Sequence, residues 1–513
     1  MSAGLAGIGL RAGPLVAAFL AGAVSVSAFG DWNLFALPVL ALGALFLLWN
    51  RVSTPRRSAL LGLAFGAGLF LVGVSWVYVS LHDFGMMPAP LAATATLLFC
   101  LYLALFPAAV GYLQARLRVA PPFRLMLAIP ALWTLGEWVR AWLFTGFPWL
   151  ALGYSQADGP LAGFAPVLGV LGLSFLGAVA AGAVATLASG GARNARAAAA
   201  GVLVALGAAG WGLHAVRWTT PAGEPLAVSL VQGNIPQELK FVDGRYESTL
   251  ATYARLVERS TGRLIVLPEI AIPRFLHEVA PDYIERLKRS AAARGGDLLL
   301  GVPVLEADRR YYNAVVSLGA SPTQGYAKSH LVPFGEFVPP GFGWVVTVLT
   351  IPLSDFARGS GGQRPLQLAG QRVAPNICYE DAFGTEIIRQ LPEATLLANV
   401  SNVAWFGDSL APAQHLRIAR MRSIETGRTM LRATNTGVTA IVDPRGAVTA
   451  RLPSFTEGVL EGRVQGYVGA TPYVRVGNAP VVAGAALIAA VALGLARRAA
   501  RNPSPREDLR PPA

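Results

Sequence analysis

Val373-Ala374-Pro375-Asn376-Ile377-Cys378-Tyr379-Glu380-Asp381 is a short apolar run that ends on a cysteine and then turns acidic. Read as a strand over Val373 to Ile377, it carries Cys378 at its carboxyl end. Similar runs lie at Leu226 to Val231, Leu264 to Leu267, Leu298 to Leu300, Ala314 to Leu318, Leu396 to Val400 and Val438 to Val442. Helical patterns separate them over Gly244 to Ser260, Asp282 to Arg294 and Ala413 to Gly427. Strands alternating with helices predict an α/β sheet flanked by helices. In such sheets reactive residues gather at the carboxyl ends of strands. Cys100, the one other cysteine, lies inside an apolar segment, so no internal disulfide framework is expected. Most unpaired cysteines are small buried hydrophobes; the acidic pair Glu380 and Asp381 and two polar motifs upstream argue for chemistry instead.

The composition outside this region is that of a membrane protein. Of 513 residues, 54% are hydrophobic and only 14% charged, with a mean hydropathy of +0.49. The formal charge of +13 invites a nucleic-acid reading. However, the arginines punctuate apolar segments instead of gathering on one basic face with interleaved aromatics, which speaks for topology and against nucleic acid. Eight spans are expected, at Gly13 to Gly30, Leu34 to Trp49, Ala59 to Leu81, Pro90 to Leu113, Leu125 to Leu143, Val167 to Leu187, Ala198 to Val216 and Ala479 to Ala496. Every arginine-bearing loop falls on one side if the N-terminus is cytoplasmic. Removing the first span as a leader would put that pattern out of phase. The expected division is residues 1–216 as a seven-span region, 217–474 as an extracytoplasmic catalytic domain, 475–496 as the eighth span and 497–513 as a basic cytoplasmic tail. In span five, Glu137 and Arg140 stand about one turn apart and are expected to pair, since a lone charge at membrane depth is expensive.

Three polar motifs sit where strand ends would place them. Leu267-Pro268-Glu269 ends the second strand, Tyr326-Ala327-Lys328 opens the segment running to Glu336, and Cys378 ends its own strand. A thiol is a weak nucleophile until deprotonated. A carboxylate to take its proton and an ammonium to stabilise thiolate and oxyanion complete a chemically sufficient set. Glu269, Lys328 and Cys378 supply those parts. Taken singly, each has a plainer reading as a turn residue, a solvated lysine or a core thiol; in this order and inside these strings they do not. The other two lysines, Lys240 and Lys288, read as surface residues. His330 and His415 have no orienting carboxylate at recognisable spacing and read as structural. The Gly359-Ser360-Gly361-Gly362 run does not link a strand to a helix, so it reads as a flexible loop and not a phosphate cradle.

The motifs around Glu269, Lys328 and Cys378 resemble the Glu-Lys-Cys triad of the nitrilase, or carbon-nitrogen hydrolase, superfamily. Together with the eight spans, the strings Val231-Gln232-Gly233-Asn234-Ile235-Pro236-Gln237, Leu331-Val332-Pro333-Phe334-Gly335-Glu336 and Ala404-Trp405-Phe406-Gly407-Asp408-Ser409 resemble the apolipoprotein N-acyltransferase family of bacterial inner membranes. The resemblance implies an integral membrane eight-helix bundle carrying an α/β nitrilase-like (αββα sandwich) domain in the periplasm. It implies a two-step transfer. Cys378 takes an acyl chain from a membrane phospholipid as a thioester, then passes it to the α-amino group of a diacylglyceryl-cysteine apolipoprotein. Glu269 acts as general base and Lys328 stabilises the oxyanion, with Glu336 supporting both; Tyr379 and Glu380 line the acyl pocket and support the nucleophile. No metal or organic cofactor is implied.

Two positions depart from the family pattern: Phe241 stands where a tryptophan is common, and Val403 where an aspartate is. The uncharged stretch Phe342 to Leu349, with Trp344 in it, is read either as a membrane-dipping arm that admits acyl chains or as an ordinary buried helix. The competing enzyme is a membrane-tethered amidase or nitrilase acting on small amides. A receptor or transporter is disfavoured, because no chain of intramembrane ionisable residues extends beyond Glu137 and Arg140.

Overall fold

Helices without a polar stripe can be satisfied only by lipid or by one another. In the computed structural model, which describes residues 12–339, 343 and 355–501, the N-terminal region forms seven of them. These are α1 (Ala12–Ser25), α2 (Ala36–Asn50), α3 (Pro55–Gly73), α4 (Ala89–Gln114), α5 (Ile129–Arg140), α6 (Ala165–Ala188) and α7 (Arg193–His214). Small residues set their spacing: a Cβ on Gly62 of α3 would come within 2.3 Å of the Pro107 carbonyl on α4, so only glycine permits that approach. Six described helices are long and apolar enough to cross a membrane, the last of them Ala479–Arg501 near the C-terminus. Ala36–Asn50 is apolar but shorter, at 15 residues. The fifth expected span is shared between a π-helical turn, Arg124–Ala128, and α5. The end of the basic tail, beyond residue 501, lies outside the described residues.

The middle of the chain folds into two six-stranded sheets. The first contains β1 (Thr220–Gln232), β2 (Leu264–Val266), β3 (Asp297–Leu305), β4 (Tyr311–Gly319) and β5 (Gly325–Ala327). The second contains β6 (Leu366–Leu368), β7 (Gln371–Ile377), β8 (Leu396–Ser401), β9 (Thr429–Thr434), β10 (Ala440–Val442) and β11 (Val448–Arg451) in reverse order. The last strand, β12 (Gly458–Val468), returns to the first sheet and pairs antiparallel with β1, from Thr220 opposite Val468 to Gln232 opposite Gly458.

Alternation along the strands explains the layering. Leu264 and Val266 of β2 and Leu396, Ala398 and Val400 of β8 meet in the core between the sheets. Ile265 and Leu267 turn the other way, onto α8 (Tyr246–Arg259) and α9 (Pro281–Ala292). Leu397 turns away likewise, toward Leu416 and Ala419 of α10 (Ala411–Thr426). The result is helix, sheet, sheet, helix, the expected αββα sandwich. A short helical turn, Pro472–Val476, and a last long helix, α11 (Ala479–Arg501), follow it.

The fourth layer is not a surface. Every residue of α10 except Ala413 and Arg420 is buried, because the face opposite the sheet packs Ile418, Met421 and Ile424 into the core of the membrane helices. The polar residues of α10 find partners there. Gln414 accepts hydrogen bonds from the indoles of Trp76 (3.2 Å) and Trp149 (2.6 Å) and donates to the Gly73 carbonyl at 2.9 Å. Arg417 pairs with Asp158 at 2.9 Å, and Glu425 accepts from Val170 N at 2.6 Å where α6 is kinked at Gly169. Glu137 and Arg140 do not pair as expected; among the described residues no ion pair joins them. Glu137 accepts from Trp133 Nε1 and Leu152 N, both at 2.9 Å, and Arg140 donates to the Phe147 and Trp149 carbonyls. The loop after α5 offers backbone partners to both charges, the Leu152 N–H to Glu137 and two carbonyls to Arg140.

Candidate active site

Cys378 follows β7 directly and adopts a left-handed backbone, φ 52°. A non-glycine residue held there is strained and needs support. Its carbonyl accepts from Asn399 Nδ2 at 3.1 Å and from His415 Nε2 at 3.2 Å. His415 Nε2 also donates to Asp381 Oδ1 at 2.8 Å, and Arg432 donates to Asp381 Oδ2 at 3.3 Å. All four partners are buried. His415 thus has an orienting carboxylate after all, and so does His330, whose Nδ1 lies 3.2 Å from Glu386 Oε1. Both carboxylates come from the turn and short helix after Cys378, a spacing that no sequence motif announced.

On the facing sheet, Glu269 sits just past β2 and Lys328 just past β5. Lys328 Nζ is 3.3 Å from Glu269 Oε1 and 2.8 Å from both oxygens of Glu336. Asn313, in the middle of β4, joins the two acids by donating to Glu269 Oε1 and to Glu336 Oε1, each at 2.7 Å. Asn402 N donates to Glu269 Oε2 at 2.8 Å, and Val332 N to Glu336 Oε2 at 2.8 Å.

The charges follow from these contacts. Burial alone would raise the Glu269 carboxyl, but Lys328, the Asn313 amide, the Asn402 N–H and Lys240 together hold it below the usual glutamate range. Burial would likewise discharge Lys328, yet Glu336 and Glu269 keep it firmly cationic. The Cys378 thiol is pushed up by burial first and then by the Glu269 charge, with Lys328 opposing. At rest the site therefore holds a protonated thiol beside an ionised carboxylate and a fixed ammonium. That is an arrangement for base-assisted attack on a carbonyl, with a cation ready for the oxygen that becomes negative.

The remaining sequence candidates take varied places. Glu380 is buried with five donors on its carboxylate: Ile377 N, Tyr326 Oη, Ser329 N, Ser329 Oγ and His330 N. It clamps the Cys378 turn to the segment after Lys328. Tyr379 donates to the Gly146 carbonyl at 3.0 Å and stacks with Phe147 and Trp149, so the Cys378 turn rests on the loop after α5. In that loop Phe144, Thr145 and Gly146 all have positive φ. Phe241 is partly exposed, on the turn that covers Glu269. Trp344 and nearly all of the Phe342 to Leu349 stretch lie outside the described residues. Gly359 is no free loop residue: its N–H donates to the Lys328 carbonyl at 2.8 Å. Lys240 is not on the surface as expected. It is 2% exposed, and its Nζ donates to the Glu269 carbonyl at 3.3 Å. Among the described residues, no three His, Cys, Asp or Glu side chains are grouped to hold a metal ion.

Comparison with known proteins gives two matches that together span most of the chain. Residues 21–183 match the family described as apolipoprotein N-acyltransferase N-terminal domain, and residues 227–473 match carbon-nitrogen hydrolase. An apolipoprotein N-acyltransferase of Nitrosomonas europaea is 52% identical, over 91% of this chain and 95% of its own. Those of Chromobacterium violaceum (48%, over 94% of both chains) and Ralstonia nicotianae (44%, over 95% of this chain and 94% of that one) are similar along nearly their whole length.

Proposed function

The chain belongs to the apolipoprotein N-acyltransferase family, and from that premise we propose which atoms carry the transfer. The protein is an acyltransferase that N-acylates lipoproteins. The single observation that carries the finer reading is the placement of a buried, protonated Cys378 on a strained turn, beside the ionised Glu269 and the doubly paired Lys328.

In the first half-reaction Glu269 takes the Cys378 proton as sulfur bonds to an ester carbonyl of a membrane phospholipid. Lys328 offsets the charge on the oxygen. The C–O bond then breaks, Glu269 returns its proton to the leaving alkoxide, and a lysophospholipid departs from the thioester. In the second half-reaction the α-amino group of a diacylglyceryl-cysteine apolipoprotein attacks, the C–S bond breaks, and sulfur recovers a proton through Glu269. Glu336 and Asn313 keep Lys328 and Glu269 in register. Residues 217–474 form the catalytic domain on the periplasmic side of the inner membrane, between a seven-span region (1–216) and an eighth span (475–496), with both termini cytoplasmic. Support for a lipid donor comes from the loop after α5 under Tyr379 and from the membrane helices that cover α10.

Intact-protein mass spectrometry after incubation with phospholipid, without acceptor, tests the reading. An acyl mass on Cys378 that hydroxylamine releases, and that is lost in Cys378→Ala, is the expected result. Folded, alkylatable protein that never gains the adduct would refute the thioester.

A further inference from the structure

Lys240 is a buried ammonium that the transfer as written does not use. It descends from the turn after β1 toward Glu269, and among the described residues the Glu269 carbonyl is its sole hydrogen-bond partner. Among the described residues no carboxylate lies within ion-pair distance of it. This contrasts with Lys328, which two acids fix. The titratable groups that face Lys240 are Glu269 and Cys378, and Lys328 and Glu336 converge on Glu269 from β5 and the segment after it. Lys328 is fixed between two acids and Glu269 already carries the proton of the thioester step, so Lys240 is the member of this group left without a task.

The second half-reaction needs a further proton acceptor. An α-amine has an ordinary pKa of about 7.7–8.0, so the acceptor arrives largely as an ammonium, which cannot attack. Of its three protons, one stays on the amide nitrogen and one reaches sulfur through Glu269 as the C–S bond breaks. The third must go to another base. Glu336 is held by Lys328, Asn313 and Val332 N and Glu380 by its five donors. We propose that Lys240 is a further catalytic residue: as a neutral amine it takes the proton that converts the acceptor's ammonium into the attacking amine. The transfer is balanced, since Lys240 gains the charge the acceptor loses, and the proton later leaves to solvent. Burial lowers its pKa to about 8, with Glu269 and Cys378 opposing, which matches the acceptor it would deprotonate.

The proposal rests on the thioester reading, and the test separates the two. Thioester enzyme is prepared from wild type and from Lys240→Arg, then mixed in a single turnover with a synthetic S-diacylglyceryl-cysteine peptide or with hydroxylamine, which is already neutral at neutral pH. Failure of the wild type to form the thioester would overturn the earlier reading and this proposal with it. Arginine keeps the charge and the hydrogen bond to Glu269 but cannot accept a proton. The expected result is that aminolysis by the peptide falls about 100-fold more than cleavage by hydroxylamine, with the gap narrowing as the pH is raised and the peptide deprotonates itself. Lys240→Met, which removes the charge, should show the same selective loss. Equal losses with the two nucleophiles, or wild-type aminolysis in the arginine variant, would show that Lys240 only supports the fold and overturn the proposal.

Discussion

Glu336→Gln preserves the size of the side chain and replaces one acceptor oxygen by an N–H2 donor. Three donors converge on the native carboxylate: Lys328 Nζ at 2.8 Å from both oxygens, Asn313 Nδ2 at 2.7 Å from Oε1, and Val332 N at 2.8 Å from Oε2. Whichever way the amide is turned, its N–H2 faces Lys328 and one further donor. A buried donor without an acceptor costs about 1–3 kcal/mol, and removing one partner from a buried charge pair about 3–5 kcal/mol. Glu269 remains as a second counter-ion at 3.3 Å, so the combined loss should lie near the low end, about 3 kcal/mol, or roughly 100-fold in acylation rate. The assay is the rate at which the Cys378 acyl mass appears in bilayer-embedded enzyme. Thiol alkylation is followed in parallel. Glu336 is one of the charges that hold the thiol up, so alkylation should quicken while acylation slows. Glu336→Asp, which keeps the charge at shorter reach, should fall between. Acylation within about threefold of wild type, or a parallel fall in both rates, would refute the reasoning.

Four further outcomes are expected. Gln414→Leu leaves the Trp149 indole N–H without its acceptor, while Trp76 Nε1 and the Gly73 carbonyl keep each other at 3.1 Å, and should destabilise the protein by about 1–3 kcal/mol, read as a lower thermal midpoint in detergent, with Gln414→Glu milder because it still accepts from both tryptophans. Asp381→Leu strands the buried Arg432 and should cost more, about 3–5 kcal/mol, than His415→Leu; equal midpoints would contradict the network behind Cys378. Because the Glu269 pKa is depressed, its ionised form and the stability it confers persist below the ordinary value of about 4.3 and are lost only as pH falls through the depressed value. The acid limb of acylation should therefore lie below that value. The Cys378 thiol is raised instead, so alkylation should be slow at neutral pH and still rising beyond the ordinary cysteine value of about 8.5.

Strand ends told where Glu269 and Cys378 would stand, because period-two apolar runs stop where a buried strand leaves the sheet. Asn313 carried no such signal. It lies inside β4, and only the pairing of strands within the first sheet brings its amide between two acids. β5 and β6 have three residues each, too few for a period, and β12 hides its pattern behind three glycines and outward polar residues. The polar positions of α10 look like a solvated face. They are buried because their partners sit far away in the chain, in the loops between membrane helices, where sequence spacing gives no cue. Glu137 and Arg140 misled for the opposite reason: their spacing suggested a pair, and nearby backbone offered partners instead. Lys240 was misjudged because one lysine in a polar turn looks like any other until its neighbours are known.

The pairing of β1 with β12 also sets a clock on biogenesis. At about 5–20 residues per second, the chain between Gln232 and Gly458 takes roughly 10 to 50 s to synthesise. Throughout that interval β1 can pair with β2 but has an open edge on its other side, a template for wrong partners. A nascent chain interrupted before Gly458 cannot close its first sheet, however well its helices have inserted. Completion of the last strand is thus a natural point at which quality control can tell a finished enzyme from an aborted one.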